Sequence, residues 1–481
     1  MEKSPVIYWY RDDLRLHDLP GLQAAVATGR PVLACYILDD ESPENWRMGG
    51  ASRWWLHHSL VKLSRTIEAL GGTLSLARGR SEEILERLAR NVGASNIFCS
   101  RSYEPWSREL EERVQSSLGN HGVQLACTEG TLLWEPEQVK TLAGTPYKVY
   151  TPFWRACMSL PEPRQPGGIP TVTFLKYEDQ LDVSLADLDL LSDENIVDSS
   201  WQTYWQPGES GAESRLNEFV DDRLALYTQG RDFPGSNTTS LLSPHLRFGE
   251  VSPNRVLHFV KQAVLQDPQL ELAAEKFLKE IGWREFSHHL LFHFPHIPES
   301  AFRAAFDRFP WAGSTQALTA WKEGKTGYPL VDAGMRELRQ TGFMQGRVRM
   351  VVASFLCKHL LIDWRVGERW FWETLVDADL ANNAAGWQWV AGSGADASPY
   401  FRIFNPITQG EKFDRSGAYV RRWVPELAAL PDRYLFQPWA APEWLLEDIG
   451  FTHGSDYPLP IVEHKYARES ALAAYAELKA G

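Results

Sequence analysis

Residues 376–389 concentrate side chains that could do chemistry. The segment carries Asp377 and Asp379 one residue apart, then Asn383, Trp387 and Trp389. Carboxylates at i and i+2 do not share a helical face, which needs i+3 or i+4. A bend or a helix end could still turn both toward one ligand. Paired acids also serve as general acid and base, or simply stay solvated. A second group lies in FLKEIGWREF, where Glu280 and Trp283 stand at i and i+3. On a helix they put a carboxylate and an apolar ring on one face. A third group, Thr239-Ser240-x-x-Ser243, sets short hydroxyls and backbone N–H groups ahead of a helix. That arrangement cradles phosphate, and it also describes an ordinary capped helix start.

Other reactive patterns fall short. Gly324-Lys325-Thr326 resembles the end of a phosphate-binding loop, but Thr319 stands where the first glycine belongs. Ser393 lies in AGSGA, which lacks the G-x-S-x-G spacing. His289 and His293 are i and i+4, yet no third ligand stands at a motif spacing, so no metal site is expected. The five cysteines are scattered and lack C-x-x-C spacing. They predict a reducing, cytoplasmic setting with neither a disulfide framework nor a zinc site.

The elements that must position these groups fall into three stretches. Residues 1–131 alternate strand and helix, with strands expected at Val6–Tyr10, Pro31–Leu38, Thr73–Arg78, Asn96–Arg101 and Val123–Thr128, and helices at Ser52–Leu70, Ser81–Val92 and Pro105–Gly119. Ser81-Glu82-Glu83 reads as a cap with acidic first-turn residues. Such alternation predicts an α/β domain, a doubly wound parallel sheet covered by helices. No G-x-G-x-x-G follows the first strand, so a dinucleotide site is not expected there. Residues 132–204 lose the pattern and contain the breaker cluster PEPRQPGG. They predict a long connector packed on both neighbours. Residues 205–481 read as an all-α domain, with helices at Ala273–Phe292, Tyr328–Thr341 and Gln345–Leu361.

The 481 residues fit about three domains or, equally, two large ones, and the 20 tryptophans predict an aromatic-rich core. A signal peptide is not expected, because Met1-Glu2-Lys3 leads straight into VIYWY. No apolar run reaches about 18 residues, so no membrane span is expected. Net charge is −13, unusual for a protein that binds nucleic acid. From Glu178 to Asp222, however, there are 13 acidic residues and one basic residue, so one segment carries most of the acidity. From Arg336 to Arg369 there are seven basic residues against three acidic ones. A local basic face can bind phosphates despite an acidic total, because salt screens distant charge.

The run DWRVGERWFWETLVDADLANNAAGWQWVAGSGADASPYFRIFNPITQGEKFDR, from Asp363 to Arg415, resembles the flavin-binding segment of DNA photolyases in the photolyase–cryptochrome family. It is most similar to the cyclobutane-dimer, class I-like type. The resemblance extends from the first strand to the last helix. It implies light-driven repair of cyclobutane pyrimidine dimers by electron transfer from reduced FAD, with UV-damaged DNA as partner and a monomeric protein. It also implies an antenna chromophore in the α/β domain, either methenyltetrahydrofolate or 8-hydroxy-5-deazaflavin, between which Tyr103-Glu104 does not decide.

By the same resemblance, FAD is held by Tyr227, Thr239, Ser240, Leu241, Leu242, Ser243, Phe277, Arg284, Arg349, Asp377, Asp379 and Asn383. Asn383 faces the reactive flavin nitrogen, where plant cryptochromes carry Asp. Trp387, Trp364 and Trp311 match an electron-relay triad; their indoles are oxidisable. Glu280, Trp283, Met350 and Trp389 grip the flipped lesion, while Arg231, Arg347, Arg402 and Gln409 contact DNA.

One position departs from the pattern: Gln345-Gly346-Arg347 stands where cyclobutane-dimer enzymes carry His-Asn-Arg. Glycine there lacks a side chain for the lesion and is expected to weaken the helix by about 1 kcal/mol. The alternatives are a cryptochrome-like photosensor and a (6-4) photolyase. The sensor type carries a long C-terminal extension, whereas this chain stops at Gly481. The (6-4) type needs a histidine pair that Gln345 and Gly346 do not supply, His359 being the nearest histidine.

Overall fold

The computed structural model describes residues 4–178, 182–191, 200–397 and 401–480. Parts of the acidic segment, residues 179–181 and 192–199, lie outside these. The first strand, β1 (Val6–Tyr10), sits at the centre of a five-stranded sheet of order β3-β2-β1-β4-β5. The others are β2 (Val32–Leu38), β3 (Leu74–Arg78), β4 (Asn96–Ser100) and β5 (Gln124–Thr128), and every pairing is parallel. A parallel sheet of this kind is buried on both faces, and the two-residue period of β1 fills both. Val6, Tyr8 and Tyr10 join a core with Leu22, Trp54 and Trp55. Ile7 and Trp9 join another with Leu85, Leu88 and Val114. Helices α1 (Pro20–Ala27) and α2 (Gly50–Ala69) cover the first face; α3 (Ser81–Val92) and α4 (Pro105–Gly119) cover the second.

Several local expectations need correction. Helix α1 falls where the strand–helix alternation predicts one, but the sequence reading gave it no bounds. Its eight residues open on Pro20, which suits a first helical turn, but they are too few to show a clear period. Ser81 is not the cap of α3: Arg80 occupies that position. Ser81 instead donates from its N and Oγ to Asp39 Oδ2, at 3.1 and 3.0 Å, so the carboxylate after β2 caps the helix from outside. Within residues 132–204, where no regular element was expected, α5 (Tyr150–Ser159) packs against the long Glu271–His293 helix. The same stretch lies along the sheet, where Val32 donates to Thr173 O and accepts from Leu175 N.

Among the described residues, every regular element after β5 is a helix, apart from isolated bridges. The helix expected over Gln345–Leu361 is two pieces, Gly346–Ser354 and a π-helical turn at Phe355–His359. Gln345 is the N-cap, its Oε1 accepting from Arg347 N at 2.6 Å and Val348 N at 3.3 Å. Gly346 is therefore the first helical residue, where the penalty for interior glycine does not apply. The basic run Arg336–Arg369 is largely consumed by ion pairs: Arg336 with Glu426, Arg347 with Asp232, Arg349 with Asp377, and Arg365 with Asp307 and Asp363. Lys358 is buried and donates to Arg402 O.

The two halves meet over a polar seam. Buried Glu250 accepts from Trp55 Nε1 at 3.0 Å and Gly208 N at 2.7 Å, and it contacts His245 Nδ1 at 2.5 Å. Arg247 pairs with Asp12, 2.5 Å away near the end of β1, and donates from Nε to Ala378 O at 2.8 Å. Ala378 lies between Asp377 and Asp379, so this arginine ties the sheet to the segment rich in reactive residues.

Candidate active site

A cavity of about 900 Å³ opens between the Glu271–His293, Gly346–Ser354 and Leu380–Ala391 helices. It lies at the upper end of the range typical for ligand sites. Helical spacing sets its walls. Glu280, Trp283, Ser287 and Leu290 line it at i, i+3, i+7 and i+10 of one helix; Asn383, Trp387 and Val390 line it at i, i+4 and i+7 of another.

The two aspartates reach the cavity through a helix start. Asp379 is the N-cap of the Leu380–Ala391 helix and accepts from Asn382 N at 2.8 Å. Its carboxyl is buried, which alone would raise its pKa. The His288 contact at 3.1 Å, with Arg284 and Arg247 nearby, outweighs burial and holds the group well below the usual carboxylate range. Asp377 is gripped by Arg349 Nη2 at 3.0 and 2.9 Å. Asn383 donates to Glu368 O at 2.9 Å, which leaves its carbonyl oxygen for the cavity. Burial pushes the Glu368 carboxyl well above its ordinary value, the opposite direction to Asp379.

Toward the opening, Trp283 stacks on Tyr150 of α5, with ring centroids 3.9 Å apart and planes within 9°. Glu280 is ion-paired with Arg231. Arg347 stacks over Phe413 at 4.4 Å. Gly346 lies on the wall, and a Cβ built there meets nothing within 4 Å.

Of the residues expected from sequence, Tyr227, Arg231, Thr239, Glu280, Trp283, Arg347, Arg349, Met350, Asp377, Asp379, Asn383, Trp387 and Trp389 all line this one cavity. Ser240, Leu241, Leu242 and Ser243 do not. Ser240 Oγ accepts from Leu242 N at 3.3 Å, Leu241 has a positive φ of 54°, and Ser243 opens a five-residue helix. Phe277 packs behind Tyr227 with centroids 5.5 Å apart. Arg284 contacts Glu285 at 3.2 Å. Arg402 and Gln409 lie off the cavity; Arg402 is exposed and Gln409 Oε1 is buried without a partner. Among the tryptophans, Trp387 lies on Gly367, three residues after Trp364, and also touches Phe371 and Trp321. Trp311 is partly buried against Phe309.

Sequence reasoning missed His288, Tyr150 and the capping role of Gln345. His288 stands at i+4 from Arg284, a spacing that could have flagged it; Tyr150 comes from a stretch with no readable period. The two histidines considered for metal are engaged otherwise. His289 Nε2 accepts from Tyr147 N at 3.1 Å, and burial pushes its pKa down to about 3. His293 contacts Pro136 O at 3.2 Å.

The residues present fit a flavin. The cavity is large enough, a charged carboxylate and an amide project into it, and Trp387 Nε1 on its wall is buried without a partner.

Comparison with known proteins agrees with this geometry. The family model for the FAD binding domain of DNA photolyase matches residues 277–477, and that for DNA photolyase matches residues 6–169. The chain is 49% identical over 480 residues to the deoxyribodipyrimidine photo-lyase of Agrobacterium fabrum, covering 100% of this chain and 99% of that one. It is 39% identical over 485 residues to cryptochrome-1 of Arabidopsis thaliana, covering 98% of this chain and 71% of that one. The crystal structure of a bacterial class III photolyase from Agrobacterium tumefaciens superposes with a TM-score of 0.94 at 48% identity, covering 100% of this chain and 99% of that one. The class I-like subtype expected from the motifs gains no support from that class III neighbour.

Proposed function

The chain belongs to the photolyase–cryptochrome family, and on that premise we propose that it is a light-driven repair enzyme that splits cyclobutane pyrimidine dimers in DNA. The observation that carries this reading is one shared cavity: Glu280 and Trp283 from one helix, and Met350 and Trp389 from two others, all line it. A flipped pyrimidine dimer has apolar ring faces and base edges with N–H donors. The two indoles offer flat surfaces for the rings, and Glu280 offers the acceptor. Photolyases are themselves a standing example of base flipping, so this step agrees with the general rule rather than being derived from it.

Reduced FAD, when bound, supplies the photoexcited electron. The chain's own residues provide position and field. Arg349, fixed on Asp377, and the charged Asp379 would hold the polar edge of the flavin. Asn383, its amide oriented by Glu368 O, presents a neutral group that tolerates an anionic ring.

Trp387, Trp364 and Trp311 form the proposed relay that reduces the flavin before repair. Three contacts support it. Trp387 packs on Gly367, which shares a helix face with Trp364. Ahead of Trp364, Leu361 O accepts from Ala312 N at 2.9 Å, and Ile362 packs against Gly313. Both partners directly follow Trp311, which is partly exposed.

In this reading residues 1–131 carry a folate or deazaflavin antenna, residues 132–204 connect, and residues 205–481 bind FAD and DNA as a monomer. Among the described residues, no helix is long and apolar enough to cross a membrane. The test is the loss of dimers from damaged DNA incubated with reduced protein: repair in light alone supports the reading, and dimers that persist under light refute it.

A further inference from the structure

Two cavity-lining arginines expected to contact DNA, Arg231 and Arg347, are already engaged in the free protein. Arg231 is ion-paired with Glu280. Its Nε also lies 3.9 Å from Asp232 Oδ1, and Arg347 Nη2 lies 3.0 Å from that same oxygen. One carboxylate, 40% exposed, thus stands between two guanidiniums. Aromatic rings fix both cations: Arg231 over Tyr227 at 5.5 Å and Arg347 over Phe413 at 4.4 Å. The four groups sum to zero charge.

We propose that Asp232 is a specificity-determining residue, whose carboxylate competes with the DNA backbone for Arg231 and Arg347 and so suppresses binding to undamaged DNA. The proposal rests on the DNA-repair reading above. An undamaged duplex offers phosphates but no flipped base. Glu280 then stays on Arg231 and Asp232 on Arg347, so each phosphate must displace a carboxylate and gains little. A flipped dimer takes Glu280 through its N–H edges, which releases Arg231 for phosphate. Discrimination thus arises from a repulsive element as well as an attractive one. Rim charges of this kind act mainly through the salt-dependent part of affinity.

The test is fluorescence anisotropy with matched duplexes, with and without one thymine dimer, between about 50 and 200 mM salt. Asp232→Asn should bind the undamaged duplex roughly fivefold more tightly. Its slope of log K against log salt should steepen by about one. Affinity for the dimer duplex should change less, so the preference falls, and Asp232→Glu should restore it. Retained FAD in each variant shows that the fold is intact. An Asn variant with unchanged affinity and slope on undamaged DNA, beside a wild type that still prefers the dimer, would overturn this proposal alone. A wild type with no preference for the dimer would overturn the reading beneath it, and this proposal with it.

Discussion

The indole of Trp387 occupies the space that any side chain at position 367 would need. A Cβ added to Gly367 would meet Trp387 Cη2 at 2.1 Å and Leu356 Cδ2 at 2.6 Å. The flavin cavity wall and the helix that starts at Trp364 are therefore locked by a glycine, with no room between them. Gly367→Ala should cost about 1–3 kcal/mol through overpacking. It should also reduce bound FAD, because Trp387 lines the cavity. Thermal unfolding together with the flavin-to-protein absorbance ratio checks this, and a variant with wild-type Tm and flavin content would show that the contact is soft.

The relay makes a separable prediction. Trp311→Phe should block accumulation of reduced flavin under light with an external thiol donor. Repair by chemically pre-reduced protein should survive. Photoreduction at the wild-type rate in this variant would point to a different path, and Trp321, its ring centroid 6.5 Å from that of Trp387, is another indole beside the cavity wall.

Glu337 predicts a pH effect. Burial pushes its carboxyl up to about 7, against hydrogen bonds from Tyr419 and Gln345 N and the charges of Arg349 and Arg422. The folded state therefore favours the neutral acid. Its contribution to stability is complete below the ordinary carboxylate pKa of 4.5 and is lost as pH rises through 7. Glu337→Gln should thus gain in Tm relative to wild type between pH 5 and pH 8. A Tm difference that stays constant over that window would contradict the assignment.

Gly346 lies beside open space, so a side chain there enters the cavity without a clash. Gly346→Asn restores an amide at the lesion wall. It should tighten binding to dimer-containing DNA by about 1 kcal/mol, the usual worth of one hydrogen bond, which is roughly fivefold. Affinity for undamaged DNA should stay the same. Equal lesion affinities before and after the change would mean that water already fills the gap.

The fold was legible where period and burial coincide. All five strands of the sheet are legible as short runs rich in apolar residues, and three of their four connections carry helices long enough to show a 3.6-residue period. The cavity was legible wherever two residues share a helix, as Glu280 and Trp283 do, or stand in one contiguous motif, as Asp379 and Asn383 do. What stayed hidden depends on distant chain segments. Tyr150 backs Trp283 from a stretch with no period. His288 charges Asp379 from another helix. Gln345 looks like the first residue of a helix and instead caps it, because its own side chain can reach the N–H groups of Arg347 and Val348. The basic run at 336–369 misled for the same reason: ion pairs such as Arg336 with Glu426 form only in the fold.

The central claim is light-driven repair of cyclobutane dimers, and its most direct measurement uses two substrates. Reduced holoprotein is mixed with one duplex carrying a single thymine dimer and another carrying a single (6-4) product, then held in blue light or in darkness. The cavity walls predict restoration of the dimer duplex in light only, with the (6-4) duplex unchanged. An unrepaired dimer under light, or repair of the (6-4) product instead, would contradict the account.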